Sequence, residues 1–357
     1  PEEHFSVTQI AALIRKYPWD YREIGLPLDP ETAAYETFLS AERKCKVSNR
    51  RLRNFRVVRS RYAKYITYMR RWIHRVLGET PPLREIYSKC DFGSGASVGV
   101  HGNATNFHRK LFAESWTVTP GAKLFASHAL WSNDQIALSF MEARDGYACF
   151  DAKHARTSML EKMNVVSFSM LSFVPKTAKT HRSIAIEPVL NGYIQKGVDT
   201  HLRQLLEGWG YDLKDQSRNA RLAREGSLYG NLATLDLSSA SDSISIEFCR
   251  LVLPPDWFEF LDLIRSPGYS YNGEIHRFEK SVTMGNGFCF PLQTLLFAAA
   301  VRAAIHFTGS ERTHSVYGDD IIVPTSAYTL LVEILQFCGM MPNDQKSFSE
   351  GPFRESC

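Results

Sequence analysis

Residues 316–323 place two adjacent carboxylates in the middle of an otherwise apolar and largely β-branched segment. The order Val316-Tyr317-Gly318-Asp319-Asp320-Ile321-Ile322-Val323 predicts two strands joined by a tight Gly-Asp turn. Two carboxylates at the tip of one hairpin repel each other, and a bound divalent cation removes that cost. The segment therefore predicts a hairpin with two carboxylates at its tip, and an exposed turn with two solvated aspartates is the alternative.

A third carboxylate stands near the end of another predicted strand. The segment 232–237 is apolar except for Thr234 and Asp236, and it is typical of a buried strand. Oxygen ligands from two strands suit Mg²⁺, and Mn²⁺ accepts the same ligands. Two such ions about 4 Å apart hold the attacking and leaving oxygens of an in-line phosphoryl transfer. The sequence thus predicts a two-metal centre at Asp236, Asp319 and Asp320.

Three cations lie within seven residues between two further predicted strands, at 165–174 and 184–186. They are Lys176, Lys179 and Arg182. Arginine offers a bidentate fork to phosphate oxygens, and the lysines add point charges. This segment predicts a loop that binds a triphosphate, and an ordinary solvated loop is the alternative.

Small polar residues follow the strand that carries Asp236. Ser241, Asp242 and Ser243 begin a predicted helix and can accept a ribose 2′-hydroxyl. We therefore predict that Ser241 and Asp242 contact the substrate. A simple helix cap at Asp242 is the alternative.

Two shorter segments complete the predicted site. Gly285 and Asn286, in Met284-Gly285-Asn286-Gly287-Phe288, predict a flexible turn and an amide beside the nucleotide, or else only turn residues. Lys346 is positioned in the sequence to protonate a pyrophosphate leaving group, if it is not a plain surface lysine.

Charge is distributed unevenly along the chain. Of the 42 Lys and Arg residues, 13 lie between Arg43 and Arg75, a stretch without Asp or Glu, and the rest of the chain has 29 against 38 acidic residues. A basic segment on an acidic body indicates a polyanionic partner. The solvated face of a helix is the alternative.

The remaining patterns predict an α+β protein with several subdomains. Helices are predicted over 62–77, ended by Gly78, and over 291–307, ended by Gly309. No apolar stretch approaches the roughly 20 residues of a membrane span, so we expect no membrane contact. The seven cysteines are scattered without a Cys-x-x-Cys pair, which favours buried thiols in a reducing compartment.

The order of these segments resembles that of the motifs of RNA-directed RNA polymerases. At closer range the chain resembles the replicase subunit of the single-stranded RNA bacteriophages, the leviviruses. The resemblance is dense from about residue 165 onward and thinner over 38–106. The segments that carry it are Ile184-Ala185-Ile186-Glu187-Pro188, Asn231-Leu232-Ala233-Thr234, Asp236-Leu237-Ser238, Ala240-Ser241-Asp242-Ser243-Ile244-Ser245, Leu253-Pro254-Pro255, Met284-Gly285-Asn286-Gly287, Tyr317-Gly318-Asp319-Asp320-Ile321-Ile322 and Phe348-Ser349-Glu350-Gly351-Pro352-Phe353-Arg354-Glu355-Ser356-Cys357.

This resemblance implies a right-hand fold of fingers and palm, with an antiparallel palm sheet packed on helices. Residues 1–110 correspond to an N-terminal helical fingers region, 111–227 to fingers, and 228–357 to a palm in which 252–282 form a fingers insertion. The family's chain continues into a thumb, which we expect to be missing here.

The resemblance also implies a function, which is to copy a phage RNA genome from ribonucleoside triphosphates. Asp236, Asp319 and Asp320 correspond to metal-binding carboxylates, and the basic loop faces the incoming triphosphate. The implied partners are template and product RNA, NTPs, the host elongation factors Tu and Ts, and other host RNA-binding proteins. The implied location is the cytoplasm of a bacterial host.

Two other functions remain open. A reverse transcriptase shares a Tyr-x-Asp-Asp hairpin, but such enzymes place a bulky aromatic a few residues after the first Asp, where this chain has Ser238 to Ser243 without an aromatic. A non-catalytic RNA-binding protein on a polymerase fold is the other possibility, although the predicted carboxylates and cations are all present.

Overall fold

Helices and short strands alternate along the chain in a computed structural model that describes residues 29–55, 60–100, 106–138, 152–177 and 180–356, together with Val7, Ile10, Ala11 and Leu13. The strands form three separate sheets, and helices pack around them. The architecture is α+β, which confirms the predicted class.

The principal helices end close to where the glycine signals predict. The apolar stripe of 62–77 is buried on one face, and that helix ends at Gly78 with a φ of +74°. The predicted helix 291–307 is also confirmed and ends at Gly309. The helices are α1 (Pro30–Arg53), α2 (Ala63–Leu77), α3 (Leu83–Tyr87), α4 (Phe107–Leu111), α5 (Pro120–Trp131), α6 (Ala152–Glu161), α7 (Val189–Gly208), α8 (Ser217–Tyr229), α9 (Ile246–Val252), α10 (Pro255–Ile264), α11 (Cys289–Thr308) and α12 (Thr325–Cys338).

Among the described strands, each sheet contains one pairing between strands distant in sequence, and three hairpins join consecutive strands. One sheet has the parallel pair β1-β2, a second has the order β4-β3-β6-β7, and a third has the order β5-β9-β8. The strands are β1 (Trp116–Val118), β2 (Met163–Val165), β3 (Ser169–Pro175), β4 (His181–Ile186), β5 (Leu232–Leu235), β6 (Gly268–Tyr271), β7 (Glu274–Arg277), β8 (Ser315–Tyr317) and β9 (Asp320–Pro324).

The single strand predicted over 165–174 is wrong in its extent. The chain instead leaves one sheet at Val165, where β2 ends, and enters another at Ser169, where β3 begins. Ser169 is fully buried, and its hydroxyl donates to the carbonyl of Gly268, 3.1 Å away, at the point where β3 pairs with β6. Pairing with a distant strand therefore decides where this strand begins.

Helix α11 lies at the centre of the main hydrophobic core. It packs against α2, α7 and α12, and most of its side chains are buried. By length and composition it could cross a membrane, which corrects the expectation that no apolar stretch reaches that size. However, 78% of its most apolar window is buried inside the protein. Burial against other helices accounts for its apolar composition.

The described cysteines behave as the scattered pattern predicts. Each is a free thiol in the protein interior, namely Cys45, Cys90, Cys249, Cys289 and Cys338. Burial in apolar surroundings raises the pKa of each of these thiols to about 12.

Candidate active site

The sheet β5-β9-β8 brings the predicted acidic residues to one edge. Strand β5 pairs antiparallel with β9, with Leu235 opposite Ile321, so Asp236 follows at the position next to Asp320. Strand β8 pairs with β9 through Tyr317 opposite Asp320, which leaves Gly318 and Asp319 as the turn. The predicted hairpin with two carboxylates at its tip is confirmed.

Gly318 is required by the position of this turn against α11. Its φ is +63°, and a Cβ added there would lie 2.4 Å from a ring carbon of Phe290. Its backbone N–H donates to Thr294 Oγ1 at 3.1 Å. Any other residue would meet both the conformational penalty and the ring, so the hairpin tip is fixed to the central helix.

One cavity of about 780 Å³ joins the acidic edge to residues from other parts of the chain. Of the predicted site residues, its wall includes Asp236, Asp319, Asp320, Lys176, Arg182, Ser241, Asn286 and Lys346. The wall does not include Asp242 or Gly285, and the predicted Lys179 lies outside the described residues. Carboxylates and cations that were predicted from separate motifs therefore line the same cavity.

Asp236 is held by the turn that contains Lys346. Asn343 donates to Asp236 twice, from its backbone N–H to the carbonyl and from Nδ2 to Oδ2, both at 2.9 Å. Burial raises the pKa of Asp236, whereas the Asn343 hydrogen bond and the charge of Lys346 lower it, and the net shift is upward. Lys346 thus acts electrostatically on Asp236, in addition to lining the cavity.

Asp320 is held by two other segments. Ser356 Oγ donates to Asp320 Oδ2 at 2.7 Å, and Asn219 Nδ2 donates to its backbone carbonyl at 3.0 Å. Burial raises the pKa of Asp320, and the negative charges of Asp319 and Asp236 raise it further. This mutual repulsion is the electrostatic condition that a cation would relieve.

The donor chemistry of the three aspartates fits a hard divalent cation. Their carboxylates line one cavity and repel one another, and Mg²⁺ or Mn²⁺ prefers such oxygen ligands. Over the parts of the chain that the structure describes, no three His, Cys, Asp or Glu side chains are grouped closely enough to hold a metal ion as they stand. Joint binding of one ion would therefore require the three aspartate side chains to converge, and the hydrogen bonds from Asn343 and Ser356 to one oxygen of Asp236 and of Asp320 are compatible with ligation through the other oxygen.

The basic side of the cavity comes from the β3–β4 hairpin. Arg182 lies in β4 opposite Val174, Lys176 directly follows β3, and both side chains are exposed. The predicted second strand at 184–186 is confirmed, although it begins earlier, at His181. Two cations therefore reach the cavity from a sheet different from the one that carries the aspartates.

Gly285 allows the loop 284–287 to lie directly on β4. A Cβ at this position would be 1.5 Å from the carbonyl oxygen of Ala185, a distance that backbone atoms cannot accommodate. Its role in the structure is therefore close packing between the loop and the strand that carries Arg182. The predicted contact of Gly285 with substrate stays a prediction.

The Asn286 side chain forms hydrogen bonds within the protein. Its Oδ1 accepts from the backbone N–H of Thr283 at 2.7 Å, and its Nδ2 donates to Glu187 Oε1 at 2.9 Å. The residue lines the cavity but is buried. In this arrangement the amide stabilises the loop, and its predicted contact with a nucleotide stays a prediction.

The short polar segment after Asp236 forms a 3₁₀ turn, Ser241–Ser243, rather than the start of a regular helix. Ser241 lines the cavity, whereas the carboxylate of Asp242 turns toward the buried Lys280, whose Nζ lies 2.8 Å from Asp242 Oδ1. Helix α9 begins only at Ile246, capped by Ser245, so Asp242 is not the cap of that helix. The predicted ribose contacts stay predictions.

Several residues in or beside this cavity are not among those that the sequence predicts. Glu355 adds a fourth carboxylate to its wall, Ser356 binds Asp320, and Asn343 binds Asp236. The segment 348–357 was prominent in the family resemblance, yet nothing in its composition indicated a position beside the aspartates. Asn343 stands in the same turn as Lys346, and an amide so close to a predicted site residue was the available signal.

Comparison with known proteins assigns the chain to a family. It matches the family described as RNA replicase, beta-chain, over residues 4–357. It is 38% identical over 339 residues to the RNA-directed RNA polymerase subunit beta of Enterobacteria phage SP, covering 93% of this chain and 55% of that protein. The corresponding protein of Escherichia virus Qbeta is 38% identical over 348 residues, covering 94% and 54%.

A third relative extends the similarity to another phage. The RNA-directed RNA polymerase beta chain of Escherichia phage MS2 is 41% identical over 273 residues, covering 76% of this chain and 47% of that protein. The chain belongs to the RNA replicase beta-chain family, as its motifs predict. It spans about half the length of the curated relatives it matches.

Proposed function

We propose that this chain forms the catalytic centre of an RNA-directed RNA polymerase, the replicase subunit of a single-stranded RNA phage. One observation carries the proposal: three aspartates from neighbouring strands share a cavity with Lys176, Arg182 and Lys346. Nucleotidyl transfer requires acidic ligands that bind metal ions and, opposite them, cations that bind the phosphates. The names of the relatives from phages SP, Qbeta and MS2 support the same activity.

In the proposed mechanism Asp236, Asp319 and Asp320 hold two Mg²⁺ ions, with Mn²⁺ as a possible substitute. The bound metal would stabilise the charge that develops on the attacking and leaving oxygens. Lys176 and Arg182, joined by Lys179, would bind the triphosphate. Lys346 would donate a proton to the pyrophosphate as it leaves, since it lies on the same cavity as the aspartates.

We further propose a right-hand arrangement of palm and fingers. The sheet β5-β9-β8 with α11 and α12 corresponds to the palm, and the sheet β4-β3-β6-β7 to the fingers. Strands β6 and β7 come from residues 252–282, and β6 joins them to the sheet by pairing with β3, which supports the idea that this stretch is a fingers insertion.

The proposed setting follows from the family. Template and product RNA and the four NTPs would be the substrates, and the elongation factors Tu and Ts and other host RNA-binding proteins would be partners. The enzyme would act in the cytoplasm of the bacterial host. Copurification of the complete natural polypeptide from infected cells would test the partners independently of the catalytic assignment.

The central test is Asp319→Asn in the complete natural polypeptide. Because the change removes one charged ligand from the hairpin tip, RNA-templated synthesis with Mg²⁺ should fall by about a thousandfold or more. RNA binding should stay within about twofold. Primer extension and filter binding measure the two, and Asp256→Asn, an exposed aspartate on α10, is the matched control.

Three results would change the proposal. Undiminished synthesis by Asp319→Asn would remove the metal assignment. Equal use of dNTPs and NTPs by the wild-type enzyme would favour a reverse transcriptase. Tight RNA binding without synthesis under any metal would favour the non-catalytic RNA-binding protein.

A further inference from the structure

Lys280 is a fully buried cation at the junction of α1 and the turn Ser241–Ser243. Its Nζ lies 2.8 Å from Asp242 Oδ1 and 3.3 Å from Glu42 Oε1, and 3.6 Å from the centre of the Phe38 ring. Its side chain is 0% exposed, and those of Glu42 and Asp242 are 10% and 11% exposed. A cation without solvent is stable only with such partners, so Lys280 depends on both carboxylates and the ring.

The backbone around Lys280 holds the same turn from one side. Ser281 N–H donates to the carbonyl of Ile244 at 2.8 Å, and Ile246 N–H donates to the carbonyl of Glu279 at 3.3 Å. These bonds pair residues 279–281 with the chain that leaves the turn. Lys280 is therefore fixed relative to Asp242 by main-chain contacts as well as by its charge.

Helix α1 holds the turn from the other side. The thiol of Cys45 donates to the carbonyl of Asp242 at 3.3 Å, and Glu42 Oε2 accepts from the backbone N–H of Glu279. One turn of α1 thus contacts both Asp242 and the segment that carries Lys280. The conformation of Asp242 is determined by groups that lie outside the catalytic cavity.

Asp242 nevertheless lies next to the cavity wall. Its neighbour Ser241 lines the wall, and so does Cys289. Burial raises the pKa of the Cys289 thiol to about 12, and the charges of Asp242 and Asp319 both add to that increase. Asp242 thus acts on Cys289 in the cavity wall and adjoins that wall through Ser241, although it is not itself part of it.

We propose that Lys280 is a positioning residue that fixes Asp242 beside Ser241 and thereby determines the preference for ribonucleoside over deoxyribonucleoside triphosphates. The inference rests on the proposed polymerase function and names a residue that acts through Asp242 rather than on the substrate. An ionised carboxylate in one fixed orientation is an acceptor-only group, as a ribose 2′-hydroxyl donor requires. Without Lys280, two buried carboxylates face each other, and their repulsion displaces Asp242 from its fixed orientation.

The test compares NTP and dNTP use by Lys280→Met in the complete natural polypeptide. Methionine keeps the apolar stem against Phe38 and removes only the charge. The ratio of kcat/KM for an NTP to that for the matching dNTP should fall by about tenfold to a hundredfold, which corresponds to one charge-assisted hydrogen bond. The change should raise the KM for the NTP more than it lowers kcat.

Two further variants separate positioning from general stability. Glu42→Gln leaves the pair of Lys280 and Asp242 in place and should keep the NTP preference while it lowers the unfolding temperature. Asp242→Asn should lose the preference, and combining it with Lys280→Met should add nothing more, because both act on one group. If Lys280→Met does not fold, Lys280→Met with Glu42→Gln removes the repulsion but still leaves Asp242 without the ion pair that fixes its orientation, and it should lose the preference in a folded protein.

The outcomes separate this inference from the proposed function. A folded Lys280 variant with an unchanged NTP preference overturns the positioning role while the polymerase function stands. Additive losses in the Lys280→Met and Asp242→Asn combination overturn it as well, since they indicate independent effects. A wild-type protein that makes no RNA overturns both.

Discussion

At the residue scale, the Glu187 side chain connects segments that are distant in sequence, and one of them contributes Asn286 to the cavity wall. Directly after β4, it accepts hydrogen bonds from the backbone N–H and hydroxyl of Ser266 and from Asn286 Nδ2. Burial raises its pKa from 4.5 to about 7, against the opposing effect of these bonds and of Arg265. The folded protein therefore binds this proton more tightly than the unfolded chain does, and the resulting stability is lost as the pH rises toward 7.

The first prediction follows from the upward shift of the Glu187 pKa. Between pH 5 and pH 8 the wild-type protein should lose roughly 2 kcal/mol of unfolding free energy that Glu187→Gln does not lose, because glutamine has no proton to release. Urea unfolding at the two pH values measures the difference. Glu79→Gln, at an exposed carboxylate, should follow the wild type, and the same pH dependence in Glu187→Gln would contradict the assignment.

At the element scale, the basic segment divides into two helices with different surroundings. On α1, Arg53 pairs with Glu247 at 3.2 Å, and Arg51 donates to the carbonyl of Phe337. On α2, Arg70, Arg71 and Arg75 are exposed and line a groove of about 520 Å³ beside the turn between α9 and α10. Helix α2 also has no acidic residue. The three exposed arginines of α2 are therefore available for a polyanion contact, whereas Arg51 and Arg53 on α1 already bind within the protein.

The second prediction concerns RNA binding by α2. Changing Arg70, Arg71 and Arg75 together to glutamine should reduce the slope of log K against log salt by about 2 for single-stranded RNA, since each lost phosphate contact removes about 0.7. Filter binding over a salt series gives the slope. Glutamines at Lys214, Arg221 and Arg224 change the net charge equally on another exposed surface and should leave the slope nearly unchanged.

Two other results would decide against α2. An unchanged slope in the α2 variant would indicate that these arginines form only a solvated face. A larger reduction from Arg50, Arg51 and Arg53 on α1 would reassign the contact to that helix, despite the bonds that Arg51 and Arg53 make within the protein.

At the scale of the whole molecule, the segment 348–356 connects the sheet of the aspartates with the loops around it. Phe348 exchanges two backbone hydrogen bonds with Thr234 in β5. The buried guanidinium of Arg354 donates to the carbonyls of Leu232, Ser349, Glu350, Gly351 and Phe353. Ser356 then reaches Asp320. One arginine thus fixes a segment that adds Glu355 to the cavity wall and brings Ser356 to Asp320.

The third prediction tests this connection. Arg354→Met leaves several buried carbonyls without a donor and should lower the free energy of unfolding by about 3 kcal/mol or more, measured by urea unfolding. Ser356→Ala removes only the hydroxyl that donates to Asp320 and should lower stability by about 1 kcal/mol, clearly less than Arg354→Met. An Arg354→Met protein as stable as the wild type would indicate that the segment is not held by this side chain.

The sequence alone was sufficient for features that depend on neighbours in the chain. The hairpin at 316–323, the helix ends at Gly78 and Gly309 and the apolar stripe of α2 follow from backbone preferences and periodicity over a few residues. The types of residue in the site were also predictable, because adjacent carboxylates repel one another unless a cation binds them.

The tertiary structure decided features that depend on contacts across the chain. The strand predicted over 165–174 divides because Ser169 meets Gly268, about a hundred residues later. Asp242 and Asn286 have the chemistry of ligand contacts, but Lys280 and Glu187 bind them, and no local pattern predicts which polar groups find buried partners.

The family, the acidic hairpin and the chemical character of the site follow from the amino-acid sequence alone, since each depends on the order of adjacent residues. Only the fold decided that Ser356 would bind Asp320 and that Lys280 would bind Asp242. Hydrogen bonds and ion pairs of this kind form at about 3 Å, and only packing of the whole chain brings residues from distant segments that close.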